Sequence, residues 1–171
     1  MLNKFNEIWN MDEDDLMDIY EKYLIDTEEI HEEEVTQCYI CFTGAEFISH
    51  YINKDYGKLK RIELGNNGFV NLIKYADGIF QVNIDNTLEG HSYILVLNND
   101  GIKSISNYGG LYGFYKIKIS REEYIERFLN SLNSIEDYSS FLGIPESFVE
   151  KSIGNFSNVK ITYISIIKIS F

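Results

Sequence analysis

Gly90-His91-Ser92-Tyr93-Ile94-Leu95-Val96-Leu97-Asn98-Asn99-Asp100-Gly101-Ile102-Lys103-Ser104-Ile105-Ser106-Asn107-Tyr108-Gly109-Gly110-Leu111-Tyr112-Gly113-Phe114-Tyr115 is the stretch on which the reading of this chain turns. It begins with a histidine at the head of an apolar run, carries a turn signal in the middle, and ends in an amide side chain and paired glycines. The pattern predicts a β-hairpin. Asn99-Asp100-Gly101 fits a three-residue loop, a type I turn closed by a glycine in the left-handed region. Asn98 then pairs with Ile102 and Tyr93 with Asn107. Because side chains alternate along a strand, that register puts His91, Tyr93, Asn107 and Gly109 on one face, with His91 and Asn107 as diagonal neighbours. A two-residue loop slips the pairing by one and sends His91 and Asn107 to opposite faces.

Outward from the hairpin, Phe80, Val82 and Ile84 alternate with polar residues as in a half-buried strand, and Phe114–Ile119 forms a further strand. Ser120 and Glu123 have capping-box spacing, with Ile119 and Tyr124 as a hydrophobic staple, so a helix starts there. Ser134 with Asp137 opens a second short helix toward Leu142, and Pro145–Ile153 a third. The alternation from Val159 to Phe171 predicts a long strand lying centrally or well covered, since an exposed edge of this kind aggregates. Leu59–Leu64 reads as a short strand, Asn66-Asn67-Gly68 as a turn, and Phe69–Tyr75 as a helical turn or a strand.

Before the hairpin, Asp12–Asp26 has acidic residues at its start and Leu16, Ile19, Tyr20, Tyr23 and Leu24 at helical spacing. An acidic run with His31, residues 27–34, reads as a solvated face. Cys38, Cys41, Ala45, Ile48 and Ile52 then form one stripe along a second helix, with Gly44 and Ala45 small enough for close approach to a sheet. A thiol in the first turn of that helix is favoured as thiolate, which makes Cys38 and Cys41 candidate nucleophiles. Buried cysteine is also a small hydrophobe, and on an apolar stripe that explains both.

The chain has 171 residues with 44% hydrophobic and 15% aromatic content, enough for one domain over residues 1–171 with its own core. Its formal net charge of -12 argues against nucleic acid or an anionic membrane as a partner and favours a basic one. Two cysteines three apart cannot staple distant parts of a fold, so a reduced cytoplasmic location is expected, in its own cell or a host's. No run is long enough to span a membrane. Cys38-x-x-Cys41 has the spacing of half a zinc site, without a second Cys/His pair.

Cys41-Phe-Thr-Gly-Ala, Gly90-His91-Ser92 and Ser106-Asn107-Tyr108, in this order, resemble the papain-like superfamily of cysteine peptidases and related deamidases. The resemblance implies an α+β fold in which N-terminal helices, one bearing the cysteine, pack on an antiparallel sheet. It implies attack by Cys41 on a protein or peptide amide, His91 as base and acid, and Asn107 as its orienter, with no cofactor and no metal. Cys38 is the alternative nucleophile. The competing expectation is a non-catalytic acidic interaction module, antitoxin-like or host-binding, with both cysteines in the core. A thiol beside His91 would distinguish the first from the second.

Overall fold

In the computed structural model, which describes residues 1–27, 37–87, 90–108, 113–153 and 159–170 without the side chains of 37–41 and 150–153, six strands form one antiparallel sheet. They are β1 (Arg61–Leu64), β2 (Gly78–Asn86), β3 (Gly90–Asn98), β4 (Gly101–Asn107), β5 (Phe114–Ile119) and β6 (Ile161–Lys168), in the spatial order β1-β6-β2-β3-β4-β5. The C-terminal strand, predicted to be central or covered, is inserted between β1 and β2. Phe171, the acidic run after Thr27 with His31, and Gly109-Gly110 lie outside the described residues.

Helices cover both faces. One face receives α1 (Leu2–Asn10), α2 (Glu13–Asp26) and α3 (Gln37–Ile52), whose Phe5, Ile8, Leu16, Tyr20, Ala45 and Ile48 pack on Ile94, Val96, Ile105 and Ile167. The other receives α4 (Asn66–Tyr75), α5 (Arg121–Asn130), α6 (Ile135–Leu142) and α7 (Glu146–Ile153). There Phe69, Tyr124, Phe128, Phe141 and Val149 meet Val82, Ile84, Tyr93, Leu95 and Ile164. The α+β class expected from the sequence is therefore present, as three layers with a core on each side of the sheet. This layering explains why Tyr93 through Leu97 are apolar at every position: both faces of β3 are buried.

Local chemistry sets the helix ends as the spacing predicts. The Ser120 hydroxyl accepts from the Glu123 amide at 3.1 Å, and Ser134 accepts from the Asp137 amide at 3.0 Å. Asn66-Asn67-Gly68, a turn by composition, instead opens α4, because Phe69 and Ile73 at helical spacing both reach the core. α1 was not expected from the sequence, although Phe5 and Ile8 mark its buried side.

One arginine ties several ends together. Arg121 donates to the carbonyls of Ile73 (3.0 Å), Ala76 (2.7 Å) and Asn98 (3.0 Å), and to the Asp77 carboxylate (2.6 Å). It closes the C-terminus of α4 and holds the β3–β4 turn beside it. Methionine at position 121 keeps the stem but leaves three carbonyls short of a donor, and the expected loss is about 2–3 kcal/mol in urea unfolding. A loss below about 0.5 kcal/mol, the range of an ordinary surface change, would contradict this role.

Candidate functional site

The β3–β4 turn decides which candidate residues meet. Leu97 pairs with Ile102, Asn98 with Gly101, and Ile94 with Ile105, so the loop has two residues, Asn99 and Asp100. The Asn98 side chain accepts from the Asp100 amide at 2.9 Å, an Asx turn that tightens the corner. Gly101 is not the third loop residue. It begins β4 at φ +112, where an added Cβ would stand 2.8 Å from the Ile119 carbonyl oxygen. The glycine is required by its own backbone and by close pairing with β5.

The one-residue slip separates the expected His91–Asn107 pair. His91 lies on the α4–α7 side. Its Nε2 is 3.3 Å from the Ser106 hydroxyl, which in turn donates to the Leu142 carbonyl at 3.1 Å at the end of α6. That donation uses the hydroxyl proton, so Nε2–H of a neutral imidazole is the donor to Ser106. The ring stacks on Tyr93 with centroids 5.6 Å apart. Only 5% of His91 is exposed, and burial pushes its pKa down to about 3. A base so weakened does not take a thiol proton efficiently near neutrality.

Asn107 lies on the opposite face, under α3. Its Nδ2 donates to the Gly113 carbonyl at 3.0 Å, and a Cβ built on Gly44 would stand only 2.5 Å from the Asn107 Cβ. The small residues expected to let the cysteine helix approach the sheet do so here. Cys41 occupies the helical position one turn before Gly44, and Cys38 the turn before that. The side chains of both cysteines lie outside the described residues. The helix that carries them packs through Gly44, Ala45 and Ile48 on the face away from His91, and the β3–β4 register does not bring His91 and Asn107 together as the three-residue loop would have done. His50, at the far end of α3, rests edge-on against Tyr56 with centroids 4.8 Å apart.

The most exposed chemistry is acidic. Asp12, Glu13, Asp14, Asp15, Asp18, Glu21 and Asp26 lie exposed along or at the start of α2. Among the described residues, the ion pairs are Lys4–Glu7, Lys58–Asp55, Arg121–Asp77 and Arg127–Glu123, and none engages these α2 carboxylates. The neighbouring Asp12 charge, foremost, holds the Asp15 carboxyl above its ordinary range, with Asp18 and Asp14 adding to it. Lys116 lies in the field of Glu13 and Asp12, but its ammonium serves the end of α1, donating to the carbonyls of Trp9 (2.8 Å), Met11 (3.0 Å) and Ile8 (3.3 Å).

Among the described residues no group of three or more His, Cys, Asp or Glu side chains could hold a metal ion, and no helix is long and apolar enough to cross a membrane. No family model, curated protein or solved structure matches the chain.

Proposed function

We propose that this chain is a non-catalytic acidic interaction module that binds a basic protein partner, with Cys38 and Cys41 serving the packing of α3. The observation that carries the reading is the β3–β4 register, which turns His91 into a core contact of the α6 side and away from the cysteine helix. A papain-like thiol hydrolase or deamidase rests on the same helix and sheet but loses the imidazole assigned to it. The net charge of -12 and the crowded carboxylates of α2 favour a cationic partner, whose approach relieves their mutual repulsion.

The test is the rate of iodoacetamide alkylation against pH for the folded protein and its His91→Phe variant, with peptide mapping of Cys38 and Cys41. The expected profiles coincide and rise only near the ordinary thiol pKa, about 8.5, or labelling awaits unfolding. Fast labelling well below that pH, slowed by the substitution, would restore the thiol–imidazole reading. A basic partner identified by cross-linking is expected to bind more weakly as salt is raised, because exposed charges are screened over about 10 Å at 0.1 M.

A further inference from the structure

β5 is the last strand of the sheet, and among the described residues its outer edge is unpaired. Which of its backbone groups lie open follows from the register. The Tyr108 N–H donates to the Gly113 carbonyl at 3.1 Å, so along the same register Ser106 with Tyr115 and Ser104 with Ile117 exchange hydrogen bonds. Phe114, Lys116 and Lys118 therefore turn both N–H and C=O outward. A row of such groups is a template for another strand.

An open groove of about 520 Å³ runs beside that edge, within the roughly 300–1,000 Å³ of binding clefts. Residues 115–118 form one wall, and Arg127, Ser140 and the α6–α7 corner at residues 143–146 form the other. Gly143, at φ +70, lets the corner close on the strand: an added Cβ would stand 2.6 Å from Ile117 Cδ1. Tyr115, 45% exposed, shares that face with Ile117, while Lys116 and Lys118 turn to the α1 side. Charge then narrows the occupant. Lys103 lies directly opposite Lys118 across β4 and β5, a like-charge pair that is unfavourable by itself. Lys103 rests over the Trp9 ring at 5.3 Å, and Lys118, exposed, has no ion pair among the described residues. A second copy is the poorer occupant, because two β5 edges centred on one another set lysine against lysine.

We propose that the β5 edge accepts an extended segment of another protein as a further antiparallel strand, with a glutamate or aspartate opposite Lys118 and apolar residues facing Tyr115 and Ile117 in the groove. The main chain of the segment meets the N–H and C=O groups that Lys116 and Lys118 leave open, and its carboxylate lies beside the two opposed lysines. Lys116 asks for no second carboxylate, since it already serves the end of α1 in the field of Glu13 and Asp12. The attraction is local, because the net charge of -12 opposes an acidic segment at a distance. This surface is separate from the α2 carboxylates and independent of the basic-partner reading.

The experiment follows the backbone amides of Lys116 and Lys118 in the 15N-labelled full chain during titration with the end-capped peptide Thr-Val-Glu-Val-Thr-Val. Saturable shifts of both amides in the millimolar range are expected, with slower hydrogen exchange at each. The same peptide with lysine in place of glutamate is expected to bind about fivefold more weakly. Lys118→Glu, an exposed change that leaves the core untouched, should reverse that order. N-methylation of the glutamate amide removes the bond to the Lys118 carbonyl and should weaken binding about tenfold. No shift at these amides, equal binding of the two peptides, or indifference to N-methylation would each overturn the proposal. So would broadening of the same amide signals with protein concentration alone, which would assign the edge to a second copy.

Discussion

Replacing Gly44 by alanine is expected to destabilise the fold by about 2 kcal/mol, although alanine is the better helix former by about 1 kcal/mol. The new Cβ would stand 2.5 Å from the Asn107 Cβ and 3.1 Å from its Cγ, with Phe114 Cε1 at 3.4 Å. Asn107 cannot swing aside, because its Cβ is fixed to the β4 backbone and that backbone pairs with Phe114 on β5. α3 would have to lift from the sheet, opening its contacts through Ala45, Ile48 and Ile52. Urea unfolding measures the loss, and a chain of this size should melt roughly 4–8 °C lower. The double variant Gly44→Ala, Asn107→Gly removes the opposing Cβ and should be less unstable than the two single losses added together. Strict additivity, or stabilisation by Gly44→Ala alone, would contradict the close approach.

The second large effect is on acid stability. Burial lowers the His91 pKa from 6.5 to about 3, so between those values the unfolded chain binds a proton that the folded chain does not. The stabilisation from a neutral His91 is therefore complete above pH 6.5 and is lost as pH falls through the window toward 3. The slope approaches about 1.4 kcal/mol per pH unit, or roughly 2–3 kcal/mol between pH 6.5 and 4.5. His91→Phe keeps a ring on Tyr93 and leaves Ser106 free to donate to Leu142, while removing the titration. Carboxylates titrate alike in both proteins, so the difference between the two stability–pH curves isolates His91. A constant difference across the window would show that the imidazole is charged in the fold or open to solvent.

These effects also mark what could be read from the sequence. The helices at Ser120 and Ser134 were legible because a cap acts over three residues, and the expected hydroxyl-to-amide bonds are present. The cysteine helix and its close approach were legible because a helical apolar stripe runs through Ala45 with Gly44 beside it, two residues small enough to let the helix near the sheet. The register of the hairpin was not. Alternation fixes register only where one face is polar, and β3 is apolar on both because helices cover both sides of the sheet. The choice between two and three loop residues then fell to Gly101, whose role is set by β5, a strand outside the hairpin. The buried polar row in which Asn83 of β2 pairs with Ser165 of β6 and with Ser92 of β3 was hidden for a similar reason. Its members come from three strands, and the insertion of β6 beside β2 joins segments about eighty residues apart, a separation no local pattern spans.

The separation of His91 from Asn107 and the cysteine helix rests on one register, and nuclear Overhauser contacts between backbone Hα protons of β3 and β4 test it directly. The account predicts strong Hα–Hα contacts between Leu97 and Ile102 and between Leu95 and Ser104, with His91 side-chain protons near Tyr93 and α6. Contacts shifted by one residue, pairing Leu97 with Lys103, would contradict it. That register would return His91 and Asn107 to one face and reopen the thiol-enzyme reading.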